Sequence, residues 1–112
     1  MWQVTQPQMP KLVGDEQGFS LSGHGIAVEK YAWSEVGRIV AFKRDYGTYD
    51  EVYLQLDIGR RIGPLELGEQ FEGFSSFVEL MEKHLPGISE SWWYHVAFPA
   101  YAENATTIFH RT

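Results

Sequence analysis

Four histidines, His24, His84, His95 and His110, are the first residues to test for chemistry. None stands three or four residues from another on a helical pattern, so the paired spacing that holds a catalytic zinc is not written here. The chain has no cysteine, which excludes a disulfide framework, a thiolate metal site and a cysteine nucleophile. No GxSxG, GxxxxGK[ST] or GxGxxG occurs. Gly23-His24-Gly25 is a turn signal rather than a phosphate loop, because strand-like residues follow it instead of a helix. Carboxylates gather at Asp45, Asp50, Glu51 and Asp57, and again at Glu66, Glu69, Glu72, Glu79 and Glu82. A general acid and base pair would need one of them desolvated. By their positions they fall in loops or on wet strand faces, so the expectation is a solvated acidic surface. The only enzyme arrangement worth testing is a cleft that joins a histidine to a carboxylate, for example His95 to Glu66. No enzyme activity, cofactor or metal is expected.

The chain has 112 residues, with 15 acidic against 9 basic side chains and a net charge of −6. That balance repels a phosphate backbone, so nucleic acid is not an expected partner. It suits a basic protein partner, whose association it would speed. Basic residues form two pairs, Lys43-Arg44 and Arg60-Arg61. These four are the candidates for an anionic headgroup, although Asp45 and Asp50 offset the first pair and stable membrane association is not expected. Aromatic residues make up 15% of the chain. Tyr46, Tyr49 and Tyr53 surround an aspartate-rich loop, and Trp92-Trp93-Tyr94 cannot all face one way on a strand. Tyr and Trp supply much contact area at little entropic cost. The expected partner-binding residues are therefore Tyr46, Tyr49, Asp50, Glu51, Asp57, Trp92 and Trp93.

The elements that must carry these residues are mostly strands. Met1 to Gln17 reads as an N-terminal arm or edge strand with Pro7 and Pro10. Residues 18–68 read as strands, with Phe19–Ser22 and Ile26–Lys30 around the Gly23-His24-Gly25 turn. Val52, Leu54, Leu56 and Ile58 alternate with Tyr53, Gln55 and Asp57, the period-two pattern of a sheet with one dry face. Residues 72–85 read as one amphipathic helix. Phe74, Phe77, Val78, Met81 and Leu85 form its apolar stripe, Ser76 and Glu79 have capping-box spacing, and Pro86-Gly87 ends it. Residues 88–112, including Trp92–Phe98, read as extended. Asn104-Ala105-Thr106 matches a glycosylation sequon, which has no meaning inside a cell. No apolar run approaches the roughly 18 residues of a spanning helix, and MWQVTQPQMPK lacks the core of a signal peptide. The expected address is a bacterial-type cytoplasm.

The expected fold is a single α+β domain: a strongly bent antiparallel sheet or small barrel of five to seven strands, capped by one amphipathic helix. The turn at Gly23-His24-Gly25, the Trp33-Ser34-Glu35-Val36 lead-in, the loop Lys43-Arg44-Asp45, the strand Glu51 to Ile58 and the helix Phe74 to Leu85 resemble a bacterial pleckstrin-homology-like domain of the GRAM-like class. A typical member ends at its helix, whereas this chain runs on to Thr112. Small acidic single-domain proteins of this build also resemble stand-alone immunity proteins, which neutralise a bacterial toxin. The first resemblance implies a headgroup-binding rim at Lys43, Arg44, Arg60 and Arg61. The second implies a toxin-binding surface on the acidic and aromatic residues.

Overall fold

The computed structural model describes residues 10–23, 26–98 and 105–111. The first nine residues of the arm, His24 and Gly25 of the expected turn, and Asn104 of the sequon lie outside them. The described chain is α+β. Its seven strands are β1 (Lys11–Gly14), β2 (Gly18–Gly23), β3 (Ile26–Ala32), β4 (Val36–Asp45), β5 (Asp50–Ile58), β6 (Leu65–Gly68) and β7 (Thr106–His110). Two helices, α1 (Phe74–His84) and α2 (Trp92–Ala97), lie between β6 and β7. The strands form two separate antiparallel sheets, ordered β1-β2-β3 and β6-β5-β4-β7, and the described strands do not close into a barrel. Among the described residues no helix is long and apolar enough to cross a membrane.

The alternation of β5 comes out as its sequence dictates. Val52, Leu54, Leu56 and Ile58 are buried, while Tyr53, Gln55 and Asp57 face outward. Strand β4 pairs with it along nearly its whole length, from Val36 opposite Ile58 to Asp45 opposite Asp50. Inward Ile39 and Ala41 join the core, and outward Val40, Phe42 and Arg44 share a face with Tyr53 and Gln55. Lys11–Gly14, read from the sequence as part of an arm or edge strand, is the edge strand of its sheet: it lies against β2 and, on its other side, beside the backbone of Glu72.

Helix α1 buries Phe74, Phe77 and Met81, the stripe expected of it. It starts at Phe74, within the expected 72–85 and a turn before the capping-box spacing of Ser76 and Glu79. Gly73, not Ser76, occupies the N-cap, and no side chain caps the helix, so Ser76 and Glu79 sit within it. The rings of Phe19 and Trp33 pack on Phe77 at 5.1 and 5.6 Å, and His84 stacks on Trp33 at 5.8 Å. This cluster joins the three-stranded sheet to the helix. Trp33–Glu35 forms one 3-10 turn between the sheets, held by a Glu35 carboxylate that accepts the Ala32 N–H.

The extended reading of Trp92–Phe98 is overturned: Trp92–Ala97 is a helix. Trp92 and Val96, one helical turn apart, are buried on one face, while Tyr94 between them is exposed, whereas a strand would put all three on the same face. The described residues thus hold two helices rather than one, and in the described part of the tail only Thr106–His110 is a strand.

Candidate functional site

The β4–β5 hairpin ends in the loop Tyr46–Tyr49, where Gly47 takes a positive φ of 89° and Asp45 accepts its N–H. The loop brings Tyr46 and Tyr49 into a ring stack at 5.1 Å, and both rings are exposed. Tyr46 then shares a hydrogen bond of 2.7 Å with the Tyr53 hydroxyl. Behind it Phe42 and Tyr53, directly opposite each other across the strands, stack at 5.7 Å, with the Arg44 guanidinium over both rings. The outer face of the four-stranded sheet therefore carries a continuous layer of aromatic rings and one arginine. Burial raises the Tyr53 phenol above its ordinary value, and its hydrogen bonds to Tyr46 and Glu51 add to the effect.

Carboxylates surround this layer. Glu51 stands on the outward face yet is only 4% exposed, which overturns its placement on a wet surface. The room for it comes from Gly68 on β6, where a Cβ would lie 2.5 Å from Glu51 Oε2. Among the described residues that oxygen has no hydrogen-bond partner. On the inward side, Lys43 is buried at 3% exposure and offset by Asp50 at 3.3 Å and by the Ala97 carbonyl at 2.8 Å. The last contact satisfies an orphan carbonyl at the C-terminus of α2 and places a cation at its negative end. Lys43 thereby docks α2 on the sheet.

Glu69 follows β6 and continues its pairing with β5 in an unusual way. Its N–H donates to the Val52 carbonyl, while its own Oε1 accepts the Val52 N–H at 2.8 Å. Burial pushes the Glu69 carboxyl up. The Val52 N–H opposes that rise, and the charges of Glu51 and Asp50 add to it. Glu69 forms one wall of a groove of about 380 Å³, whose other walls are Phe74, Ser75 and Val78 of α1 and Trp93 of α2.

The structure thus gathers Tyr46, Tyr49, Asp50 and Glu51 at the hairpin end of one sheet and places Trp93 in the groove beside Glu69. It does not bring the other two expected residues there. Trp92 is 2% exposed and donates its indole N–H to Glu82 of α1, so it is a core residue. Asp57 lies seven residues along β5 from Asp50, roughly 23 Å away at strand rise. Phe42, Lys43, Tyr53 and Glu69 also belong to the site: the sequence reads Lys43 as a headgroup ligand, Tyr53 as part of the tyrosine loop and Glu69 as part of a solvated acidic cluster, and does not single out Phe42. For Phe42 the signal was there, because it alternates with buried Ala41 and Lys43. Glu69 had no local signal, since the groove it lines is built by two helices.

The four basic residues expected at a headgroup rim are each held by partners within the chain, Lys43 by Asp50 and the Ala97 carbonyl. Arg44 pairs with Glu66 at 3.0 Å, and Arg61 with Glu29 at 2.8 Å. Arg60 pairs with Glu35, donates to the Lys30 carbonyl and covers the Tyr31 ring. His95 sits on α2, over the inner side of the sheet, whereas Glu66 points outward between buried Leu65 and Leu67. The structure does not join them. Compared with known proteins, the chain matches no family model, and neither a curated protein nor a solved structure matches it significantly.

Proposed function

We propose that the protein is a non-enzymatic protein-binding module, an immunity-type protein that neutralises a bacterial toxin by binding a basic surface on it. The observation that carries this reading is the exposed Tyr46–Tyr49 stack on the hairpin loop, flanked by Asp45 at the end of β4 and Asp50 at the start of β5. Exposed tyrosines beside carboxylates combine the area of an anchor with the charge that attracts a cationic partner. The pleckstrin-homology-like form of the fold belongs to the same proposal. Seven antiparallel strands in two sheets and an amphipathic helix support it, while β7 beyond the helices departs from it. The alternative of an anionic-lipid binder draws little support, because Arg44, Arg60 and Arg61 are ion-paired and Lys43 is buried.

The test is to purify the chain with basic toxin domains, first any encoded beside its gene, and to titrate each pair at low and high salt. We expect a complex that weakens as salt rises. The double substitution Tyr46→Ala and Tyr49→Ala should weaken it at least tenfold, about 1.4 kcal/mol. Absence of a complex, salt-insensitive binding, or unchanged affinity of the double variant overturns the reading.

A further inference from the structure

Resting on the protein-binding reading, we propose that the groove between α1 and α2 receives an arginine side chain of the partner. Its alkyl stem lies on Phe74, Val78 and Trp93, and its guanidinium meets the Glu69 carboxylate. The groove has three apolar walls, one hydroxyl and one carboxylate. An entirely apolar occupant would desolvate that carboxylate without compensation. An anionic one would face Glu69 with Asp50 and Glu51 nearby. A long cation fits both parts of the lining, because its stem buries while its head stays charged.

The local charge points the same way. Around Glu69 the cations are committed: Lys43 to Asp50 and the Ala97 carbonyl, Arg44 to Glu66. Among the described residues no ion pair involves Glu69. The Val52 N–H on Oε1 fixes where the carboxylate lies before anything binds. Such preorganisation lowers the cost of capturing a charge. Arginine is favoured over lysine because a planar, weakly hydrated guanidinium also stacks on an indole, here that of Trp93.

The probe is a blocked Gly-Arg-Gly peptide, titrated into the full chain and followed by NMR at the Trp93 indole N–H and the Val52 amide. Parallel titrations use the citrulline and lysine versions. We expect binding in the millimolar range that moves both signals, and at least tenfold weaker binding by the neutral citrulline peptide. Glu69→Gln and Trp93→Ala should each weaken the arginine peptide at least tenfold, while Glu66→Gln on the outer face leaves it unchanged. Glu69→Gln keeps the acceptor for the Val52 N–H, and it removes a carboxylate that burial holds above its ordinary pKa. Its melting temperature at neutral pH should therefore equal or exceed the parent's, which separates lost binding from lost folding.

Equal binding of the citrulline or lysine peptide, or full binding by Glu69→Gln, overturns the assignment. A toxin complex that forms unaltered with Glu69→Gln and Trp93→Ala refutes the arginine groove and leaves the tyrosine surface standing. Peptide binding without any toxin complex supports the groove and refutes the toxin reading instead.

Discussion

Gly73 carries one of the sharper constraints in the chain. It takes a φ of 85° at the N-cap of α1, and a Cβ there would overlap the carbonyl oxygen of Leu12. The close approach exists because β1 runs beside Glu72, with Leu12 N–H donating to the Glu72 carbonyl at 2.7 Å and Glu72 N–H to that of Pro10. Gly73→Ala therefore meets both an unfavourable backbone region and a steric overlap. We expect a loss of about 2–4 kcal/mol, measured by urea unfolding. From the sequence Gly73 reads as a helical residue within 72–85, because nothing local reports that another strand passes over it. Glu51 teaches the same lesson. Period two correctly puts it on the outward face of β5, but its burial depends on the missing side chain of Gly68, a neighbour 17 positions away.

Among the elements, β5 and α1 were legible because their apolar periods match their geometry over many residues, and β4 through Gly37 and its β-prone residues, since its spacing alone also fitted a short helix. Helix α2 was not. Its six residues are mostly aromatic or β-branched, types that favour strands, and a helix this short gains little from propensity. Tertiary contacts decide it: Val96 in the core, Trp92 bonded to Glu82, and the Lys43 ammonium on the Ala97 carbonyl. The i, i+4 pair of Trp92 and Val96 fits a strand as well as a helix, so it could not decide between them. Lys43→Met keeps the aliphatic stem and removes the ammonium that closes the helix. The expected cost is about 1–3 kcal/mol. Amide hydrogen exchange should show the loss first at residues 93–98, with the amides shared by β4 and β5 still protected. Uniform acceleration across the sheet would mean that Lys43 supports the whole domain and not the docking of α2.

Across the whole molecule, the two sheets are held at one junction by charges as well as by rings. Arg60 and Arg61, in the turn after β5, reach Glu35 and Glu29, beside and within the three-stranded sheet. The Arg61 hydrogen bond, followed by that of Tyr31, holds the Glu29 carboxyl below its ordinary value. The Ala32 N–H, followed by Arg60, does the same for Glu35. Asp15, which accepts the N–H groups of Gln17 and Gly18, is lowered as well, and its carbonyl receives the Trp33 indole N–H. A carboxyl depressed by folding adds stability above its unfolded pKa and loses it as pH falls through the folded one. For these glutamates the unfolded reference is near 4.5, so the junction should hold at neutral pH and weaken below about pH 4. Glu69 acts in the opposite sense, because its raised carboxyl favours the native state as it gains a proton. The hairpin end should therefore outlast the junction in acid. The near-ultraviolet signal of Trp33, which sits in the junction, should fall before the strand signal does as pH is lowered from 5 to 2. The double variant Glu29→Gln and Glu35→Gln should be less stable than the parent at pH 7. It should converge with the parent at low pH, where both parent carboxyls carry protons. Parallel stability curves across that range would show that these ion pairs do not hold the sheets together and that the Phe19, Trp33 and Phe77 rings alone do.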